Sequence, residues 1–257
     1  MKTALILTIV LGIYNFSYGF VLPLQTAMKK SVALSGNQIF SVDQDVIFKS
    51  ESEDIVIKEN WLIEGDKNLV LTATGQGPLK DFFKVVTFYN SKNKTSMIGK
   101  NRQSEPVNLD FFERYLSIRS VASFAGYLND LSVAKNIRLS RVGGVPALAI
   151  GEPSTNVLKP QFWLDQENFQ IRKVRFPSET EVTFDDYAQY DKLWYPRTKT
   201  VNWGHQVAVI RVRNVSTKIK ANLTNFYPQK LDQASEINLA NKGQIGLTIQ
   251  EFYTRFR

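Results

Sequence analysis

Phe40-Ser41-Val42-Asp43-Gln44-Asp45-Val46-Ile47-Phe48 places Phe40, Val42, Val46 and Phe48 on one side of an extended chain, and Ser41 and Asp43 on the other with Lys49 beyond. Apolar residues recurring at every second position specify a strand with one buried face, because successive side chains of a pleated strand point to opposite sides. The same period continues outward from this stretch. After an acidic turn at 50–54, Ile55, Ile57, Trp61 and Ile63 form the apolar face of a second strand. Gly65-Asp66 turns the chain into a third strand over 68–74, which Gly75-Gln76-Gly77-Pro78 ends, and 82–89 is a fourth, followed by a polar hairpin turn at 90–94.

The pattern returns later in the chain. Strands are predicted over 137–141 and 145–150, flanking Gly143-Gly144, then over 160–165, 169–176, 180–187, 193–202 and 205–218. Roughly ten or eleven strands at a spacing of about ten residues predict an antiparallel meander that curls into a barrel or half-barrel. Three segments break the period. Residues 22–34 read as a helix stopped by Gly36, and 247–257 as a short amphipathic helix. Between the two runs of strands, 108–130 carries Leu109, Phe112, Tyr115 and Leu116, then Val121, Phe124, Ala125 and Leu128, all at helical spacing. These two short helices are more apolar than a solvated connector requires, so they are expected to cover something. No linker-like stretch divides the chain, and 20–257 reads as one domain.

The first residues have the three parts of a cleavable export signal: Lys2, an apolar run from Ala4 to Ile13, and Ser17-Tyr18-Gly19 before a cut at Phe20. That run is short for a bilayer span, which takes about 20 residues. The mature chain, 20–257, is therefore expected to be soluble. Cysteine is absent, which excludes disulfides, thiolate metal sites and a lipidated cysteine at the cut. A large exported chain without disulfides fits a bacterial periplasm. The formal net charge of +8 favours anionic partners. Because the basic residues are scattered and the chain is exported, nucleic acid is not an expected partner.

Catalytic chemistry is hard to find. There is no Gly-x-Ser-x-Gly elbow and no phosphate loop, and the single histidine, His205, follows Trp203-Gly204 in a turn. Asp43 with Asp45 and Asp185 with Asp186 are the obvious carboxylate pairs, and both read as solvated faces. Neither an enzyme, a metal site nor a cofactor is expected. Apolar excess is the stronger signal: Phe40, Phe48, Trp61, Phe82, Phe88, Phe162, Phe176 and Phe184 recur on one face of successive strands. A curved sheet around so many large rings either packs them together or leaves a cavity suited to a hydrophobic ligand. The candidate lining is Phe40, Phe48, Trp61, Phe88, Phe112, Phe124, Phe162 and Phe184, with 108–130 as a lid.

The phrase Phe162-Trp163-Leu164-Asp165-Gln166-Glu167-Asn168-Phe169-Gln170-Ile171-Arg172-Lys173-Val174 resembles a strand–Asp–turn–strand hairpin of the bacterial outer-membrane lipoprotein-sorting proteins, the LolA/LolB-like superfamily. Thr183-Phe184-Asp185-Asp186-Tyr187, Leu193-Trp194-Tyr195-Pro196-Arg197 and a closing stretch near Asn222 and Phe226 resemble further phrases in the same order. The similarity covers 159–228 best and 22–150 more loosely. It implies a mainly β antiparallel half-barrel with an N-terminal helix and a helical lid, holding the acyl chains of a lipid or lipoprotein in the periplasm. The soluble carriers of this family have an Arg-Pro after the second strand whose arginine ties down the lid. Here that place reads Glu64-Gly65-Asp66-Lys67-Asn68, leaving Arg114 and Arg119, beside the lid, as the candidate ties. The leading expectation is a soluble periplasmic carrier of acyl chains. The alternative is a protein-interaction or sensor module on the same fold, with periplasmic or membrane protein partners and no enclosed ligand.

Overall fold

In a computed structural model the chain is described over residues 21–50, 53–90, 92–98, 100–154, 157–220, 223–227, 235–239 and 242–257. The export signal at 1–19 and Asn222 lie outside the described residues. Helix α1 (Leu24–Val32) leads into six strands: β1 (Phe40–Phe48), β2 (Ile55–Glu64), β3 (Asn68–Gly75), β4 (Phe83–Asn90), β5 (Asn93–Ile98) and β6 (Asn101–Pro106). A 3-10 turn (Glu113–Ser117) and helix α2 (Val121–Asp130) follow. Next come β7 (Ile137–Val142), β8 (Val145–Ile150), β9 (Gln161–Asp165), β10 (Ile171–Arg175), β11 (Glu181–Tyr190), β12 (Leu193–Trp203) and β13 (Gln206–Ser216). The two-residue strand β14 (Glu236–Ile237) and helix α3 (Gly243–Arg255) come last.

All strands join one antiparallel sheet in the order β6-β5-β4-β3-β2-β1-β13-β12-β11-β10-β9-β8-β7, with β14 added on β4. Two meanders thus meet only where β1 pairs with β13. The sheet is not closed, and a twisted sheet of this width curls, so one face is concave. Its free edges are β6 and β7, which are consecutive in the chain. Residues 107–136 must therefore cross from one edge to the other, and the topology draws the lid over the concave face.

Fourteen strands are found among the described residues where roughly ten or eleven are expected. The additions are β5, β6 and β14. The region read as a polar turn at 90–94 starts a longer hairpin, in which Asn93 pairs with Pro106 and Ile98 with Asn101. Strand β6 is exposed along its whole length, so with no buried face it carries no period-two signal. In β4 the strand exists as expected but the inward face is the other one. Phe83, Val85 and Tyr89 join the main core, whereas Phe82 is 44% exposed and Phe88 points to the far side of the sheet. A change of one residue in parity reverses every side chain of a strand, and β4 has large apolar residues on both sides.

Elsewhere the expected faces hold. Phe40, Val42, Val46, Phe48, Ile57, Trp61 and Ile63 are completely buried in the concave core. Helix α1 buries Ala27 and Met28 there. Helix α2 starts at Ser120, whose side chain accepts from the Ser123 N–H at 2.9 Å, and it buries Phe124 and Leu128.

Candidate functional site: a filled concavity with two covers

Two chain segments fill the concave face. The first is the lid. Phe111 stacks on Tyr89, with centroids 4.4 Å apart and planes 9° from parallel, and on Trp61 at 5.9 Å. Phe112, Tyr115, Leu116, Phe124 and Leu128 continue this layer. The second is α3 with the residue that follows it, inserting Ile249, Phe252, Tyr253 and Phe256, all nearly or fully buried. Phe252 meets Phe48 at 5.2 Å and Trp203 at 5.8 Å. The space left between α1, the lid and β10–β11 is about 20 Å³, enough for a water molecule and far below the 300–1,000 Å³ or so of a ligand site. Where the lid meets α3, a cleft of about 730 Å³ opens to solvent beside Lys94, Val107, Asp110, Ser178 and Arg255. Arg255 crosses that seam, donating to Asp110 Oδ2 and Thr180 Oγ1 at 2.8 Å each.

On the floor of the concavity, among the rings, lies a closed network of charges. Lys199 of β12 donates to both Glu113 oxygens and to Gln44 Oε1 at 2.8 Å, and to the Tyr195 hydroxyl at 3.0 Å. Tyr195 in turn donates to Glu113 Oε2 at 2.9 Å. Gln44 donates to Glu59 Oε2 at 2.6 Å and to Glu113 Oε1 at 3.2 Å. Trp61 Nε1 also donates to Glu59 Oε2, at 3.0 Å. Arg257, which follows α3, completes the set with Nε and Nη2 on the two Glu59 oxygens at 2.8 and 3.1 Å. Lys199 and Arg257 balance Glu59 and Glu113, and all four side chains are at most 1% exposed. Burial alone would raise the Glu113 carboxyl, but Lys199 and Arg257 outweigh it and hold Glu113 below the usual carboxylate range. Burial pulls the Lys199 ammonium down against Glu113, yet its acceptors suit only the protonated form. Buried polar groups of this kind are tolerated when every member is satisfied.

The lid is fastened at the rim. Tyr127 of α2 donates to Asp66 Oδ2 at 2.7 Å, and burial, reinforced by Asp66, pushes the phenol upward so that it remains a donor. Arg119 lies across Gly65, whose φ of +67° is a conformation that favours glycine, and donates to the carbonyls of Gln38 and, at 3.4 Å, Asn37. The Glu64–Asn68 turn therefore does meet the lid, with the acceptor, Asp66, on the turn and the donor, Tyr127, on the lid. Arg114 lies beneath α2 with its guanidinium 4.5 Å from the Tyr127 ring centre.

Of the eight candidate lining residues, Phe40, Phe48, Trp61, Phe112, Phe124, Phe162 and Phe184 share the concave core. Phe88 does not: it packs with Val86 and Phe226 on the convex side. Asp165 of the hairpin phrase accepts from the Glu167 and Asn168 N–H groups at 2.9 Å each and from Arg172, so it fixes a turn. Although burial opposes them, these bonds hold its carboxyl below the ordinary range. Asp185 and Asp186 are exposed as expected. Asp45 is not solvated: it is 5% exposed beneath Arg213. The register shift at Asp43/Gln44 leaves Arg213 as the unpaired residue of β13, and the bulge aims its side chain over Asp45. His205 occupies the exposed β12–β13 turn.

The expectations above omitted Gln44, Glu59, Glu113, Lys199 and Arg257. Parity held a signal for three of them. Gln44 falls between Val42 and Val46, Glu59 between Ile57 and Trp61, and Lys199 two residues before Val201, each on the inward side of its strand. Arg257 carries no such mark.

Known structures share this architecture. The chain is similar to a LolA superfamily protein from Nitrosomonas europaea, at 12% identity and a TM-score of 0.58, over 80% of this chain and 98% of that one. It is also similar to a domain from Vibrio parahaemolyticus named for outer membrane lipoprotein sorting, at 14% identity and a TM-score of 0.56, over 82% and 98%. No family model matches the sequence, and no curated protein does. These likenesses establish a LolA-like fold. Among the described residues, no helix is long and apolar enough to cross a membrane.

Proposed function

We propose that this LolA-like chain is a soluble periplasmic carrier that takes up the acyl chain of a lipid or lipoprotein in its concavity, without catalytic chemistry of its own. The observation that supports this is the aromatic concave face covered by helical segments that form no part of its hydrogen-bonded sheet. A sheet strand cannot leave without breaking a ladder, whereas α2 and α3 can withdraw at the expense of side-chain contacts.

Magnitudes favour exchange. Burying a large apolar side chain is worth about 1.5–3 kcal/mol, so Ile249, Phe252, Tyr253 and Phe256 together contribute on the order of 10 kcal/mol. An acyl chain gains about 0.8 kcal/mol for each methylene buried, which for a dozen methylenes is again on the order of 10 kcal/mol. A ligand and α3 are thus matched competitors for one surface, as reversible loading and release require. In this reading the chain's own residues occupy the ligand's place.

Native mass spectrometry of the protein purified from its periplasm without detergent, followed by lipid extraction, tests the proposal. A discrete added mass that extracts as lipid or acylated peptide is expected. A bare chain that retains a protein partner instead would overturn the carrier reading in favour of an interaction module.

A further inference from the structure

Arg257 is bound as a ligand would be. Its Nε and Nη2 form a fork on Glu59, its Nη1 donates to the Phe256 carbonyl at 2.9 Å, and Nη2 lies 3.5 Å from Glu113 Oε1. The guanidinium carbon is 5.4 Å from the Trp61 ring centre, 4.8 Å from that of Phe112 and 5.0 Å from that of Phe252. A carboxylate set among aromatic faces is a receptor for a guanidinium or an ammonium group. Most of that receptor belongs to the sheet. Glu59 and Trp61 are on β2, and Trp61 Nε1 and Gln44 Nε2 already hold Oε2 in position. The cation, Phe252 and Phe256 arrive with α3 or just after it.

Withdrawing α3 changes the charge of the floor. Glu59 and Glu113 would then face Lys199 alone, and Lys199 is committed to Glu113. Glu59 would be left as a buried carboxylate without a cation, a state that is strongly unfavourable. An acyl chain with a neutral or anionic end replaces the packing of Phe252 and Phe256 but not the charge of Arg257. We propose that the concavity selects an acylated ligand whose polar end is cationic, an ammonium or guanidinium, with Glu59 and Trp61 as its specificity-determining residues and Arg257 as the resident competitor that it displaces. This rests on the carrier reading and adds the chemical class of the ligand to it.

Chemical rescue in the full-length chain tests the inference. Arg257→Ala is expected to lower the melting temperature, and dodecylguanidinium to restore most of the loss, with neither dodecanol nor dodecanoate doing so. Its affinity for the variant should exceed that of dodecanol by roughly 10- to 100-fold, the worth of charge-assisted hydrogen bonds. In Arg257→Ala combined with Glu59→Gln that preference should vanish. Equal rescue by dodecanol or dodecanoate, rescue by none of the three, or a preference that survives Glu59→Gln would overturn the proposal. Should Arg257→Ala not fold, hydrogen exchange on the unaltered chain decides: dodecylguanidinium should deprotect 243–257 and dodecanoate should not, and any other result sinks the idea. Extraction of a purely anionic lipid would likewise overturn the cationic class while leaving the carrier reading intact. Extraction of no lipid would remove the carrier reading, whatever the rescue shows.

Discussion

The two covers of the concavity are held by different physics. At the rim, α2 is tied by neutral-donor and backbone hydrogen bonds: Tyr127 on Asp66, and Arg119 on the carbonyls before β1. On the floor, the end of α3 is tied by a fully desolvated ion pair inside a network of charges. Rim bonds exchange with water and, each having one charged partner, are individually worth about 1.5–3 kcal/mol. A buried pair has no such substitute, because each partner left alone keeps its desolvation penalty. Helix α2 can therefore loosen on its own, while Glu113 at the base of the lid and the end of α3 stay seated until other groups replace their charges.

The largest expected effect breaks this contrast at the floor. Glu59→Ala takes both short carboxylate bonds from the buried Arg257, leaving it only Glu113 at 3.5 Å, and should cost about 3–5 kcal/mol in urea denaturation. A loss below about 1 kcal/mol would mean that Arg257 swings out to water easily, so that the two ties are alike after all. Next is the rim. Tyr127→Phe removes one hydrogen bond to a carboxylate, should cost about 1.5–3 kcal/mol, and should speed amide exchange in α2 but not in α3. Equal acceleration in both helices would show one cover instead of two, coupled through Asp110 and Arg255.

A smaller effect separates both ties from the Asp165 turn. Its carboxyl is held below the unfolded value of about 3.9, so its contribution is complete above that pH and fades as pH falls through the folded value. Asp165→Asn should lower stability near neutrality and flatten the decline below about pH 4, measured by melting at a series of pH values. The smallest effect is at the exposed Arg197–Asp186 pair, where Asp186→Asn, which removes the charge and still suits the φ of +56° there, should leave the melting curve in place. A clear shift there would show that surface charge matters to this sheet beyond the general rule.

The sequence made the two kinds of region unequally legible. Strands with one buried face, such as β1 and β2, write their apolar side at every second residue, and the structure keeps those faces. The edge strand β6, Asn-Arg-Gln-Ser-Glu-Pro, buries nothing and leaves no pattern. Strand β4 is apolar on both sides, so its sequence does not say that Phe88 faces the convex side. The lid was visible as a helical period between two runs of strands. Its fastening was not, because Tyr127 and Asp66 are 61 residues apart and only the fold joins them. The floor lay closer to view than it seemed, since Gln44, Glu59 and Lys199 interrupt inward apolar faces. Their partner, Arg257, comes from the opposite end of the sequence, 198 residues from Glu59, and no local pattern encodes that distance.

The meeting of the two meanders also sets a schedule for folding. Strand β1 lies in the middle of the sheet, yet one of its hydrogen-bonding edges is completed only by β13, with Ser41 opposite Ser216 and Phe48 opposite Ala208. A ribosome or a secretion channel delivers residues 40–106 long before 206–216. Until then β1 presents an unpaired row of backbone groups, next to a concave face that lacks its α3 cover. Pairings this distant form slowly, and an open edge beside apolar surface is where aggregation begins. The nascent sheet therefore carries an open edge beside apolar surface until β13 arrives, an interval set by topology alone.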